Sequence, residues 1–137
     1  VRKHKDGSFS DWGRLDATSG SGPNGEWVRF GDGTQICTRT VDIDALDVST
    51  ARDTLFYSGV DSYSFPATFT EVHHADASFH GTDNTTLRNS ALAARLRRGS
   101  SGSSIAWTNV CVFSTAAVTC AAGENSRYSL YAIGRWF

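Results

Sequence analysis

The stretch Ser126-Arg-Tyr-Ser-Leu-Tyr-Ala-Ile-Gly-Arg-Trp-Phe137 decides how the rest of the chain is read. Residues 128–133 are rich in aromatic and branched types, and Tyr128, Leu130 and Ala132 share one parity. Apolar residues at every second position mark a β-strand with one face turned inward. A strand at a chain end stays ordered only when a sheet holds it. The expectation is a paired, central strand.

Working outward, the composition agrees. A chain of 137 residues has room for one domain with a core. Thirteen basic against fourteen acidic residues leave no global field to draw the protein to nucleic acid or to a membrane surface. No apolar run approaches the roughly 20 residues of a membrane helix, and none reads as a signal peptide. Abundant Gly, Ser and Thr with frequent aromatics suit short strands and many turns. Val1 in place of an initiator methionine suggests a fragment or a processed chain.

Taken in order, residues 1–25 are polar and become Ser/Gly-rich from Thr18 to Gly25, so they read as an extended N-terminal arm and linker. Phe9, Trp12 and Leu15 are its only apolar spacing, suited to a stalk contact or to loose anchoring. Residues 26–137 read as the folded domain. Trp27–Phe30 and Thr34–Ile43 flank Gly31-Asp32-Gly33, a strong hairpin signal. On the second arm Ile36, Thr38 and Thr40 alternate with Cys37, Arg39, Val41 and Ile43. Asp44–Thr54 reads as a connecting loop with one helical turn. Val60–Phe65 is a strand ended by Pro66.

Phe69–Phe79 alternates again, and a strand is preferred at Ser90–Leu96 over the helical face that Leu87, Ala91, Ala94 and Arg98 also fit. Ile105–Phe113 is a clear strand and Ala117–Cys120 a short one. Six to eight strands joined by close turns predict an all-β fold, an antiparallel sandwich. Cys111 and Cys120 lie nine apart across a hairpin, so a bridge is geometrically possible; the alternative is three buried thiols, Cys37 included. No Cys-x-x-Cys occurs, which argues against a structural zinc site.

Three blocks together carry a resemblance: Trp27-Val-Arg-Phe-Gly-Asp-Gly-Thr-Gln-Ile-Cys37, Tyr63-Ser-Phe-Pro-Ala-Thr-Phe69 and Ala132-Ile-Gly-Arg-Trp-Phe137. They resemble the C-terminal domains of bacteriophage tail fibre proteins, including those of prophage-derived particles and gene transfer agents. The middle block and the strands after it are also similar to the H-type lectin domain, a six-stranded sandwich that assembles as a homotrimer and binds sugars. The resemblance covers about residues 26–137. It implies a receptor-binding domain at a fibre or spike tip on a virion, joined to an upstream fibre shaft and binding a bacterial cell-surface glycan. H-type lectins hold sugars with an arginine and a Trp-His pair. No tryptophan here is followed by histidine, and Arg95 and Trp107 are the nearest candidates by order. The resemblance further places Arg135, Trp136 and Phe137 at a subunit boundary or in the core, with Gly134 allowing a bend or a close backbone approach.

Three sets of residues carry candidate chemistry. His74, Asp76 and His80 share a strand parity and are ligand types for zinc or another transition metal. His74 and Asp76 stand roughly 7 Å apart along a strand; His80 needs a bend near Gly81 to join them. The other reading is hydrogen-bonded strand residues. Arg88, Arg95, Arg97 and Arg98 form a basic cluster suited to acidic sugars or phosphates, or to pairing with the aspartates of residues 42–53. Trp107 with Asn109, and Tyr57 or Tyr63 with Asp61, are candidate stacking and hydrogen-bonding pairs for a sugar.

Catalysis is not expected. No Gly-x-Ser-x-Gly elbow occurs, and nothing selects Glu71 with Asp76 or Asp83 as a hydrolytic carboxylate pair. Adhesion is therefore the expected function. The alternatives are a structural knob that registers a trimer, or a grip on an outer-membrane protein.

Overall fold

The computed structural model describes residues 17–81, 92–96 and 104–137, with backbone alone at 81 and 92–96. Among them every regular element is a strand. β1 (Ala17–Gly22), β2 (Gly25–Phe30), β3 (Thr34–Asp44), β8 (Glu71–Gly81) and β12 (Asn125–Arg135) form one antiparallel sheet in the order β1-β2-β3-β12-β8. The second sheet is built on β10 (Ala106–Ser114). β6 (Leu55–Tyr57) and β7 (Asp61–Ser64) lie end to end along one edge of β10, and β9 (Leu92–Leu96) lies along the other. β5 (Thr50–Arg52) pairs with β6. A two-stranded clamp of β4 (Asp47–Val48) and β11 (Val118–Thr119) completes the fold.

The expected closing strand is β12, paired along its length with β3 on one side and β8 on the other. Ser126, Tyr128, Leu130, Ala132 and Gly134 are buried, while their alternates face outward. Between the sheets Tyr128, Leu130 and Ala132 meet Phe65, Phe69, Trp107, Val110 and Val112. Phe65 packs edge-on against Trp107 at 4.5 Å and against Phe69 at 5.0 Å between ring centroids. The Trp107 indole N–H donates across the sandwich to the Tyr131 carbonyl at 3.0 Å, so its one polar atom is satisfied in the core. Leu46, Val48, Val118 and Cys120 plug one end.

Several sequence expectations are corrected. Residues 17–25 are not linker: Ala17–Gly22 is a paired strand, because Gly20 lies opposite Trp27 and a Cβ there would meet the indole at 2.7 Å. A glycine leaves room for the cross-strand ring to cover it. Pro23 and Asn24 make the turn and Gly25, at φ 109°, completes it. The loop over 44–54 holds β4 and β5 and no helical turn. Leu46 and Val48 are drawn into the core, and Cys120 N–H donates to the Leu46 carbonyl at 2.9 Å.

Two ladders are bulged. In β10, Trp107 pairs with Tyr63 but Val110 with Asp61, so two residues, Thr108 and Asn109, oppose one. Asn109 accommodates this at φ 55°. Past the bulge, in the gap between β7 and β6, Ser58 continues the edge of β10, since its N–H donates to the Val112 carbonyl and its Oγ accepts from Val112 N–H, both at 2.9 Å. In β8, His74 faces Ile133 but Val72 faces Gly134, which leaves His73 as the extra residue. There the β8 backbone comes so close that a Cβ on Gly134 would overlap the Glu71 carbonyl oxygen. The bridge weighed between Cys111 and Cys120 is not formed, and all three cysteines are buried as thiols.

Candidate binding cleft

The inward parity of β3 places Gln35, Cys37, Arg39, Val41 and Ile43 on one face, so a charged residue stands among core positions. A half-buried guanidinium must find acceptors or a ring. Arg39 finds both. Its Nη1 donates to Asn24 Oδ1 at 3.2 Å and to the Ser64 carbonyl at 3.3 Å, and its Cζ lies 5.3 Å from the Tyr63 ring centroid. Asn24 comes from the β1–β2 turn and Ser64 from β7, so Arg39 ties three elements together at an open side of the sandwich. No carboxylate pairs with it among the described residues.

Beside it the turn rests on β3, and a Cβ at Gly25 would overlap the Thr38 carbonyl. An open cleft of about 470 Å³ remains here, lined by Ser21, Gly22, Gly25, Glu26 and the segment Thr38–Thr40, Arg39 included. The β2–β3 pairing runs no further than Glu26 opposite Thr38, and the cleft lies where β2 begins. Hydroxyls, a carboxylate and a guanidinium therefore converge on one concave surface. Tyr63 borders the cluster. Its hydroxyl donates to Asp61 Oδ2 at 3.4 Å, and burial, then the Asp61 charge, push its pKa up to about 12. Burial also holds the Tyr128 hydroxyl well above the ordinary tyrosine range.

The sequence candidates fare unevenly. Tyr63 is at the site, but its ring lies between Arg39 and Tyr128, whose centroid is 6.2 Å away, so it offers an edge instead of a stacking face. Trp107 is a core residue, only 1% exposed, and cannot stack on a sugar. Its proposed partner Asn109 is the bulge residue. Tyr57 packs against Phe113 and beneath Arg52. Arg95 lies in β9 opposite Cys111, its side chain outside the described set, and Arg88, Arg97 and Arg98 lie outside the described residues altogether.

His74, Asp76 and His80 do share the outer face of β8, yet they do not converge. β8 runs paired through Gly81 without the required bend, and six residues of strand separate the histidines by roughly 20 Å. His80 Nε2 meets Ser129 Oγ at 3.1 Å, and Asp76 accepts from Ala77 N–H at 2.8 Å. Among the described residues no group of three His, Cys, Asp or Glu can hold a metal ion.

The sequence reading passed over Arg39, Asn24 and Glu26. Their one visible signal was the parity of β3, which sets Arg39 in register with Cys37 and Val41.

A second arginine sits one strand away. Arg29 of β2 has its Cζ 5.0 Å from the Trp27 centroid and 5.0 Å from the Trp136 centroid. Its Nε donates to Gln35 Oε1 at 2.7 Å. The Gln35 amide donates in turn to the carbonyls of Ala67 and Thr68, at 3.0 and 3.1 Å. Trp136 Nε1 donates to the Phe30 carbonyl at 3.1 Å. Trp27 and Trp136 are thus half-buried flanks of a locked guanidinium.

With this geometry in view, the structural comparisons can be stated. No protein-family model matches the sequence, and no curated protein matches it. A C-terminal fragment of the R1 pyocin fiber of P. aeruginosa aligns over 86% of this chain with a TM-score of 0.50 and 14% identity. The likeness is one of fold. This chain spans 28% of that fragment's length. An N-truncated R1-type pyocin tail fiber aligns over 86% of this chain and 84% of its own, with 18% identity and a TM-score of 0.49. The all-β antiparallel fold is therefore one found in a pyocin fiber.

Proposed function

We infer that this chain is a receptor-binding domain of a phage-type tail fibre that attaches its particle to a bacterial cell-surface glycan. The observation that carries the reading is the polar cleft at Arg39, open at the side of a sandwich whose fold occurs in a pyocin fiber. Sugars are held by planar hydrogen-bonding groups, hydroxyls and carboxylates on a concave surface. The cleft supplies each type: Arg39, Asn24, Ser21, Thr38, Thr40 and Glu26.

An open cleft of this size gives weak single-site affinity. Assembly as a homotrimer on an upstream shaft, at the tip of the particle, raises it by avidity, because linked sites engage one polymeric surface. The role is adhesion without chemistry. Among the described residues no nucleophile–base pair lines the cleft, and the tyrosine hydroxyl beside it is held protonated.

A glycan array probed with the protein, joined to adsorption assays blocked by purified host polysaccharide, tests the reading. Binding to one glycan class with matching blockage is expected. Adsorption that ignores the polysaccharide and yields to an outer-membrane protein overturns it. Shortening of the polysaccharide during incubation overturns the non-catalytic part, and light scattering that finds a monomer at micromolar concentration overturns the trimer.

A further inference from the structure

We propose that the Arg39 cleft is a subsite for a negatively charged saccharide, with the sugar's oxyanion on the guanidinium and its ring hydroxyls on Glu26. The proposal rests on the adhesion reading above and names the chemistry of its ligand. Three observations carry it.

First, Arg39 is oriented but not neutralised. Its described acceptors are an amide oxygen and a main-chain carbonyl, both taken by Nη1, and no carboxylate pairs with it among the described residues. A guanidinium offers five N–H donors in a fixed fork matched to a carboxylate or a phosphate. Nε and Nη2 carry three of those donors, and neither has a described partner.

Second, the guanidinium is pre-positioned. Packing on Tyr63 and the contact with Asn24 hold it, so little side-chain entropy remains to be lost on binding. Arg29 shows the opposite outcome in the same sheet: its Cζ lies 5.0 Å from each of two indole centroids and its Nε is taken by Gln35.

Third, the cleft is polarised. Glu26 lies on the outer face opposite Thr38, whereas Arg39 has the inward parity of β3. An oxyanion is repelled from the first and drawn to the second. A neutral sugar lacks that orienting charge. The ligand is therefore a uronic acid or a sugar bearing sulfate or phosphate.

The test is calorimetric titration of the intact chain with oligouronates from alginate, glucose 6-phosphate, glucose 6-sulfate and neutral dextran oligosaccharides. Binding of at least one anionic probe is expected, weakening as salt rises. Arg39→Gln should lower that affinity about tenfold or more. Asn24→Asp supplies a competing carboxylate beside Arg39 without removing its packing on Tyr63. It guards against misfolding of the first variant and should abolish anion binding. The three anionic arms separate carboxylate, phosphate and sulfate as the recognised group.

If no anionic probe binds, or if anion affinity is unchanged in Asn24→Asp, the subsite is overturned. Dextran binding that both variants leave intact, with no anion preference, overturns the subsite and leaves glycan adhesion standing. If the glycan array is also blank, the adhesion reading falls as well.

Discussion

Two arginines on adjacent strands, Arg29 of β2 and Arg39 of β3, meet the same requirement in opposite ways. Each is half-buried and each lies over an aromatic ring. Arg29 is enclosed by Trp27 and Trp136 and fastened to Gln35, which is itself fully buried and fastened to the loop after β7. Arg39 rests on one ring, is tied through Nη1, and lines an open cleft. The difference lies in what surrounds the charge: two indoles flank one guanidinium, and at the other β2 begins only at Gly25, which leaves a cleft beside β3. Both arginines tie elements of the fold together, and only the second also lines an open cleft, where the saccharide subsite is proposed.

Breaking the enclosed cluster should cost most. Gln35→Ala removes the partner of Arg29 Nε and takes the amide donor from the Ala67 and Thr68 carbonyls, leaving Ala67 only the weak Cys37 thiol contact at 3.6 Å. With the cavity added, a loss of about 3–5 kcal/mol is expected in urea unfolding. Trp136→Ala opens one side of the Arg29 stack and takes one of two donors from the Phe30 carbonyl, which keeps the Gly33 N–H at 3.0 Å, for about 2–3 kcal/mol. Phe137→Ala should do much less, since that ring is 60% exposed and touches Trp136 edge-on. The resemblance had set both terminal aromatics in the core or at a subunit boundary, and within the chain Trp136 is the anchor. On the open side, Arg39→Gln should change stability by less than about 1 kcal/mol, and its effect appears in binding.

The smallest effect is a pH limb that marks the neighbourhood of the open arginine. Tyr63 has a folded pKa near 12, above its unfolded value. The protonated hydroxyl therefore favours the fold, fully below about pH 10 and progressively less as pH rises toward the folded value. Tyr128 acts in the same direction. Tyr63→Phe should flatten the decline in melting temperature above pH 10; an unchanged decline would assign it elsewhere.

The sequence disclosed the strands whose period survives folding. β12 alternates without a break, so its inward residues were readable from Tyr128, Leu130 and Ala132 alone. The central stretch of β8 was equally plain. β10 was legible as a strand but not in its facing, because the bulge at Thr108 and Asn109 changes parity between Trp107 and Val110, and both are buried. Strict alternation from Trp107 would turn Asn109 inward and leave Val110 outside. Trp107, a sugar candidate by its order along the chain and as a stacking ring beside Asn109, fills the core instead. β1 has no pattern of its own, and it becomes a strand because Trp27 needs a surface that Gly20 supplies. The site was least legible for the same reason. Asn24, Glu26 and Arg39 meet only once the hairpin and β3 have folded, and their single local trace is a charged residue at a core parity.

The contrast between the two arginines can be read directly from their side-chain Nε–H signals in a nitrogen-15 labelled sample, recorded while the anionic oligosaccharide that binds best is added. Arg29 should give a slowly exchanging signal that stays in place. Arg39 should exchange faster when free and shift as the saccharide binds. A shift at Arg29, or saccharide binding with Arg39 unmoved, would contradict the account.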